Sequence, residues 1–230
     1  MKLLYLLINC FTAIVPVIFS FHPKLKFYKN FRSFFGAAIL SAAIFIVWDI
    51  NFTKQGVWGF NANYITGTYL FTLPIEEILF FICIPFACVF TYHCLNLFFN
   101  IYWTSKTEHY FVLTASFILL SAGIYFHTQL YTASTFISLS ILLLTLKYLV
   151  RIPWLAKLVT IYPVLLIPFI LVNGILTGTG LEKPVVWYNN EENSGIRLLT
   201  IPLEDFFYGF ELILLDIFFY EYFRNKFSER

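Results

Sequence analysis

The 230-residue sequence has few charged residues. Asp, Glu, Lys and Arg make up only 12% of the chain, whereas soluble domains carry about 25%. Hydrophobic residues reach 60% and aromatic residues 21%. This composition excludes an ordinary soluble domain and predicts an integral membrane protein.

The sequence also lacks the motifs of several functional classes. It has no glycine-rich dinucleotide fingerprint, no P-loop and no aspartate-rich motif for Mg²⁺ and diphosphate. Redox, phosphate-transfer and prenyltransferase chemistry are therefore disfavoured, and no cofactor is predicted. Four dispersed histidines and four cysteines without paired ligand spacing predict no metal site. The Lys and Arg residues form no basic stripe, so no nucleic-acid partner is expected.

What the sequence does contain is a series of apolar runs separated by short polar stretches. These runs predict an all-α polytopic membrane protein with about seven transmembrane helices. The first run has no small-residue cleavage site after it, so we expect a retained helix rather than a signal peptide. The predicted spans are Leu3 to Phe21, Phe34 to Ile50, Thr68 to Cys94, Tyr110 to Phe126, Gln129 to Tyr148, Leu158 to Leu176 and Leu198 to Tyr222.

Two acidic motifs recur in matched surroundings. PIEEILFF begins at Pro74 and PLEDFFYG begins at Pro202, and a glycine lies seven residues before each proline. Each motif also follows a tryptophan and an asparagine, at Trp58 and Asn61 in the first case and at Trp187 and Asn190 in the second. The recurrence predicts an internal repeat. We expect one three-helix repeat at 1–100, a connector helix at 101–127 and a second three-helix repeat at 128–230.

The distribution of cations predicts the orientation. Eleven of the fifteen Lys and Arg residues fall in loops or helix ends on one side of the predicted spans, which is the signature of the cytoplasmic side. The N-terminus is then extracytoplasmic, the C-terminus cytoplasmic and the protein integral to the cytoplasmic (inner) membrane. The odd connector helix makes the two repeats parallel, so both acidic motifs lie near one face of the membrane.

The four acids of the motifs are the predicted catalytic residues: Glu76, Glu77, Glu204 and Asp205. Adjacent helical residues are about 100° apart, so one carboxyl of each pair can face the bundle interior while its neighbour reaches a loop. A protonated carboxyl in a dry bundle is a strong general acid. Proline followed by Glu is also a common structural helix start. Two matched copies inside apolar sequence nevertheless favour function.

Several further residues are candidates for substrate binding or support of the acids. Asp49 and Asn173 stand at related positions near the ends of the second helix of each repeat, and Glu211 follows Glu204 by seven residues on one helix face. Aromatic faces beside an acid stabilise a carbocation. The full supporting set is Asp49, Trp58, Asn61, Asn173, Trp187, Asn190 and Glu211.

The motifs together resemble a known family. WD at Trp48 and Asp49, GVWGFN from Gly56 to Asn61 and the two acidic motifs resemble the small integral-membrane lycopene cyclases. The resemblance is to a fused form of the two-subunit bacterial type and to the cyclase domain of the fungal bifunctional lycopene cyclase/phytoene synthase. It implies an intramolecular lyase or isomerase of carotenoid biosynthesis that cyclises the linear ends of lycopene to β-ionone rings without redox change, giving γ- and β-carotene.

The same resemblance implies lycopene as substrate, a membrane-lipid environment and possible contact with other carotenoid-pathway enzymes. We expect Glu76→Gln or Glu204→Gln to abolish cyclisation without preventing membrane insertion.

Another membrane isoprenoid cyclase and a proton-coupled carrier stay as alternatives, although a carrier more often places its acids near the midplane. The sequence leaves open which carboxyl is the acid, the ring type, the number of ends cyclised and whether there is one composite site or two.

Overall fold

The computed structural model describes residues 2–100 and 102–228. In this part of the chain the prediction of an all-α protein is confirmed, and seven α-helices form a bundle. A 3₁₀ turn at Phe27–Asn30 leads into the second helix, and the fifth continues as a π-helix at Thr145–Val150. The helices are α1 (Leu4–Ser20), α2 (Phe31–Gln55), α3 (Ile75–Phe98), α4 (Ser105–Tyr125), α5 (Leu130–Leu144), α6 (Leu155–Leu176) and α7 (Leu203–Ser228).

Most of these helices suit a membrane. Within the described residues, five helical segments are long and apolar enough to cross a bilayer: Phe27–Gln55, Ile75–Phe98, Ser105–Tyr125, Leu130–Val150 and Leu155–Leu176. Of the other two predicted spans, α1 is apolar but has only 17 residues, and α7 carries several acids. Large apolar side chains cover the outer surface, as at Phe11, Ile39 and Phe117, each more than half exposed. These features indicate a membrane protein.

Helix α2 shows how the sequence specifies the packing. Its buried positions recur every three or four residues and are mostly small: Ser33, Ala37, Ala38, Ser41 and Ala42. Such a stripe lets another helix approach closely in a membrane, where packing replaces the hydrophobic effect between helices. Accordingly, α2 packs along α7 and also contacts α3.

Short strands precede the two acidic helices, and they correct the predicted starts of two spans. Strands β2 (Tyr69–Leu70) and β3 (Leu73–Pro74) form one hairpin, and β5 (Arg197–Leu198) and β6 (Ile201–Pro202) form another. The starts predicted at Thr68 and Leu198 are therefore wrong, since α3 and α7 begin only after the prolines. Pro74 is extended, with φ near −65° and ψ near 151°, and its fixed φ and missing N–H suit the end of a strand just before a helix.

A third ladder joins the two halves of the chain. Strand β1 (Trp58–Phe60) pairs antiparallel with β4 (Val186–Tyr188), so that Trp58 lies opposite Tyr188. Two more backbone bonds extend the pairing, from the Asn61 N–H to the Val185 carbonyl at 2.8 Å and from the Asn189 N–H to the Val57 carbonyl at 2.8 Å. The ladder fixes the end of the bundle where both acidic helices begin.

The helices of the two halves are packed unequally. In order along the chain, α1, α2 and α3 correspond to α5, α6 and α7. Helix α2 packs closely against α3 and α7, whereas α6 touches α1, α3 and α7 only loosely. A cavity therefore lies on the α6 side of the bundle.

Candidate active site

The first acid of each motif anchors the loop before its helix. The Thr66 N–H donates to Glu76 Oε1 at 2.7 Å, and the Ser194 N–H donates to Glu204 Oε1 at the same distance. Glu204 Oε1 also accepts from the Thr132 hydroxyl at 2.5 Å. Both glutamates are fully buried, and neither lines the cavity. These two predicted catalytic residues thus hold backbone in place.

The second acid of each motif faces the cavity beside α6. Glu77 and Asp205 both line it, and each accepts a hydrogen bond from a buried tyrosine on the first helix of its own half. The Tyr5 hydroxyl donates to Glu77 Oε2 at 2.6 Å, and the Tyr131 hydroxyl donates to Asp205 Oδ1 at 2.7 Å. Since α3 and α7 come from different halves, the cavity is shared between them.

A third carboxyl distinguishes the first half. The Asp49 carboxyl, on α2, lines the same cavity as Glu77 and lies close enough to that carboxyl for the two charges to influence each other. It also accepts from the Tyr208 hydroxyl at 2.8 Å. Two buried carboxyl groups close together repel each other when both are ionised, so the arrangement favours a proton held by the pair.

The corresponding position of the second half carries an amide instead. Asn173, on α6, donates through Nδ2 to Asp205 Oδ2 at 2.6 Å. The same oxygen accepts from the Tyr188 hydroxyl at 3.0 Å, so Asp205 has three donors in all. Three donors suit an ionised carboxylate, which only accepts. The two halves therefore present an acid pair on one side and a single hydrogen-bonded carboxylate on the other.

Aromatic rings surround the acids. Trp58 is 5% exposed, and its ring centroid lies 5.0 Å from that of Tyr131 and 6.1 Å from those of Tyr188 and Tyr208. All four rings line the cavity. We call them the aromatic wall. Electron-rich ring faces attract a cation, so this end of the cavity is suited to a positively charged intermediate.

Away from the acids the cavity is an apolar channel. Its lining follows one face of α3 from Glu77 to Thr91, which is about 21 Å at the rise of an α-helix. Apolar side chains of α3 and α6 form its sides, among them Phe80, Ile84, Leu165 and Val172. Among the described residues that line it, none is Lys, Arg or His. The channel therefore fits a long hydrocarbon with one end at the acids.

The comparison with protein families agrees with this geometry. The family model described as lycopene cyclase matches residues 2–95 and 127–223. The chain belongs to the lycopene cyclase family. The match in two segments supports the internal repeat, and membership implies an enzyme with carotenoid cyclase activity and a carotenoid substrate. No curated protein and no solved structure matches the chain.

In this lycopene cyclase family member, four of the supporting residues predicted from the sequence do not line the active-site channel. Asn61 donates from Nδ2 to the Pro184 carbonyl at 3.2 Å and so joins two loops. Trp187 is 43% exposed, and exposed Asn190 accepts from Arg197 at 2.8 Å. Glu211 is buried between α7 and α5, where it accepts from Ser138 at 2.9 Å. Arg197 bonds no carboxylate in the described structure; it holds the Thr200 carbonyl and Asn190.

The structure also changes the residue correspondence between the halves. Asn61 Oδ1 accepts a hydrogen bond from the backbone N–H of the residue two positions later. In the second half the equivalent bond is made by Asn189, not by Asn190. Trp58 faces Tyr188 across the ladder, while Trp187 packs on Gly59. The recurring tryptophans are therefore not equivalent, and only Trp58 contributes to the site.

Sequence reasoning missed the tyrosines of the site, which are Tyr5, Tyr131, Tyr188 and Tyr208. Tyrosine near a helix end is typical of the interfacial belt of membrane proteins, so residue type alone did not single them out. The available signal was position: Tyr5 and Tyr131 both stand at the start of the first helix of their half.

Among the residues that the structure describes, no group of three or more His, Cys, Asp or Glu side chains is placed to hold a metal ion.

Proposed function

We propose that this protein is a lycopene β-cyclase that closes the linear ends of lycopene into β-ionone rings, giving γ-carotene and then β-carotene. One observation supports this proposal above others. A single apolar channel ends at an acid pair from one half, Glu77 with Asp49, and at a carboxylate from the other half, Asp205. An acyclic carotenoid is long and apolar, and its chemistry takes place at its tip.

The proposed first step is protonation of the substrate. Glu77 and Asp49 share a proton, and Glu77 delivers it to the terminal carbon–carbon double bond. Tyr5 and Tyr208 donate to the two carboxyls and stabilise the negative charge that the pair acquires. The step leaves a tertiary carbocation on the substrate and the acid pair one proton short.

Ring closure follows at the aromatic wall. The next double bond of the polyene attacks the cation, so that one carbon–carbon bond forms and the positive charge moves into the new ring. Trp58, Tyr131 and Tyr208 stabilise the charge through their rings. The dry channel protects the cation from capture by water.

Asp205 completes the reaction as the base. It removes the proton from the ring carbon that carries the polyene chain and lies beside the cation, which restores a double bond and leaves the β-ring. The product is an isomer of the substrate, so the step needs no oxidant or reductant. After one ring closure the proton that began on the acid pair is in the product, and a proton from the substrate is on Asp205.

We further propose how the protein sits in the membrane. All seven helices cross it, including α1 and α7, because the acids of α7 from Glu204 to Glu221 are all buried in the bundle. The termini lie as the cation distribution predicts, and the substrate enters sideways from the lipid. The loose contact between α1 and α6 is the proposed entrance, which also gives neighbouring carotenoid enzymes access to the product.

Expression in a bacterium that accumulates lycopene tests the proposal. Chromatography of the extracted pigments should show γ-carotene and β-carotene in cells that carry the protein. Rings of the ε type would contradict the assignment of the base. Unchanged lycopene, with the protein demonstrated in the membrane fraction, would overturn the proposed function.

A further inference from the structure

Two matched β-hairpins expose apolar side chains at the end of the bundle where the acidic helices begin. Each hairpin has a two-residue loop, at 71–72 between β2 and β3 and at 199–200 between β5 and β6. The first loop residue is 76% exposed in Phe71 and 69% exposed in Leu199. The residue before each of them is an exposed leucine. We call these four residues, Leu70, Phe71, Leu198 and Leu199, the hairpin tips.

The backbone of the tips is one that bulky residues rarely adopt. Phe71 and Leu199 each have a φ of 57°, in the left-handed region where a two-residue hairpin loop usually carries glycine or asparagine. A large side chain is unfavourable there because its Cβ crowds the backbone. The same unfavourable choice occurs in both halves of the chain. An apolar side chain at this place therefore has a benefit that the hairpin alone does not provide.

Each hairpin is attached to the second helix of its own half. The threonine of each loop donates its hydroxyl to a carbonyl near the end of that helix, Ile50 on α2 at 3.5 Å and Gly174 on α6 at 3.2 Å. Three residues before each carbonyl stands an apolar side chain that is more than half exposed, Val47 and Leu171. Such side chains face lipid in a membrane protein. The hairpin tips therefore lie at the end of a lipid-facing surface.

The hairpins are also tied to the first residues of the acidic helices. The Ile75 N–H donates to the Thr68 carbonyl at 2.9 Å, and the Leu203 N–H donates to the Ile196 carbonyl at the same distance. Each bond lies two residues before the channel acid of its helix. The 24 residues of α3 extend for about 36 Å, more than the ~30 Å of a hydrocarbon core. The start of α3 and the hairpin before it therefore reach the membrane interface.

We propose that the hairpin tips are anchors that insert into the bilayer interface on the side of the acids, among the acyl chains just below the phospholipid headgroups. Burial of the four apolar side chains in lipid offsets the unfavourable backbone of the loops. The inference uses the proposed placement of the helices in the membrane and does not depend on the cyclisation chemistry. For the proposed cyclase, the anchors hold the channel acids at the edge of the hydrocarbon layer, within reach of the tip of a substrate dissolved there.

Photocrosslinking in membranes identifies what covers the tips. Phe71 or Leu199 is replaced by the photoreactive residue p-benzoylphenylalanine, which bonds to neighbouring C–H groups on illumination, and the intact protein is analysed by mass spectrometry. We expect an added mass of one phospholipid. The matched controls carry the same residue at Asn63 or Glu191, exposed positions whose N–H groups make equivalent bonds in the two halves. Their phospholipid adduct should be at least ~3-fold weaker, since they lie in polar loops.

Two outcomes would overturn the inference. Tips that form no more phospholipid adduct than the controls lie in water, and tips that crosslink to a protein have a protein partner. The pigments of the same cells report separately on the proposed function. Absence of cyclised product would contradict the cyclase, whereas the phospholipid adduct does not depend on it.

A second variant distinguishes an anchor from a hairpin that lipid merely touches. Phe71→Asn suits the left-handed backbone, so the hairpin should fold, but it removes the largest apolar group of the tip. With the photoreactive residue at Leu70, we expect Phe71→Asn to lower the phospholipid adduct at least ~3-fold, because the hairpin is no longer held in lipid. An unchanged adduct would mean that the helices alone fix the depth of the hairpin, and it would contradict the anchoring role.

Discussion

Adjacent carboxyls in this protein have different surroundings because a helix turns by about 100° per residue. Glu76 and Glu204 point toward loop backbone, while Glu77 and Asp205 point into the channel. The two channel acids also have different neighbours. Asp49 places a second carboxyl near the first of them, whereas Asn173 donates an amide N–H to the second. The proposed acid and base roles thus follow from single neighbours.

Substitution of Glu204 tests the division of roles. Glu204→Ala leaves the Ser194 N–H and the Thr132 hydroxyl without their acceptor, and we expect it to lower the free energy of unfolding by about 1–3 kcal/mol. Glu204→Gln keeps a carbonyl oxygen and should retain both stability and most cyclisation. Thermal unfolding in detergent and pigment analysis measure the two effects.

The sequence alone leads to a different expectation for this residue, namely that Glu204→Gln abolishes cyclisation. Normal thermal stability combined with no cyclised product in Glu204→Gln would support that expectation. It would place Glu204 in the chemistry and contradict the loop-anchoring role.

The ladder between β1 and β4 is the element that joins the halves at the site. It places Trp58 and Tyr188 opposite each other, and it requires a residue without a side chain at Gly59. A Cβ there would overlap the indole of Trp187. The close approach explains why a glycine stands between two residues of a strand that serves the site.

Gly59→Ala should therefore be destabilising by about 1–3 kcal/mol, since the added Cβ would displace the Trp187 indole from its packing on the strand. Cyclisation should fall with stability because Trp58 and Tyr188 move together. Combining it with Trp187→Ala removes the clash, so the double variant should be more stable than Gly59→Ala alone. Strictly additive losses in a double-mutant cycle would argue against the clash.

The channel formed by α3 and α6 makes a separate prediction. Ala87 lines it, and Ala87→Phe should fill the space that the polyene occupies. We expect cyclisation of lycopene to drop at least ~10-fold, with little loss of protein from the membrane. Ala43→Phe, on an exposed face of α2, is the control and should cyclise normally. Equal activity of the two variants would show that substrate lies elsewhere.

Sequence reasoning found the elements better than their boundaries. The order of the helices and both acidic motifs were predictable because apolar runs and matched spacing are local signals. The hairpins were not, since Leu70, Phe71, Leu198 and Leu199 are apolar and read as the first residues of the spans that follow. The tyrosines and the channel depend on contacts between residues more than 70 positions apart, which no local pattern reveals.

At the scale of the whole molecule, the proposed function uses one composite site rather than two. Each half contributes its second acid to the same channel, and α2 packs closely against α3 and α7 where α6 makes only loose contacts. The asymmetry follows from small differences between the halves, such as Asp49 against Asn173. Both ends of the substrate must then use the same acids in turn.

The most direct test of this account is pigment analysis of Glu77→Gln and Asp205→Asn in lycopene-accumulating cells, with both proteins confirmed in the membrane. A single composite site predicts that each substitution alone abolishes both rings, so that lycopene remains and neither γ-carotene nor β-carotene forms. Accumulation of γ-carotene at the original rate in either variant would mean that the second end has its own site. That result would contradict the account.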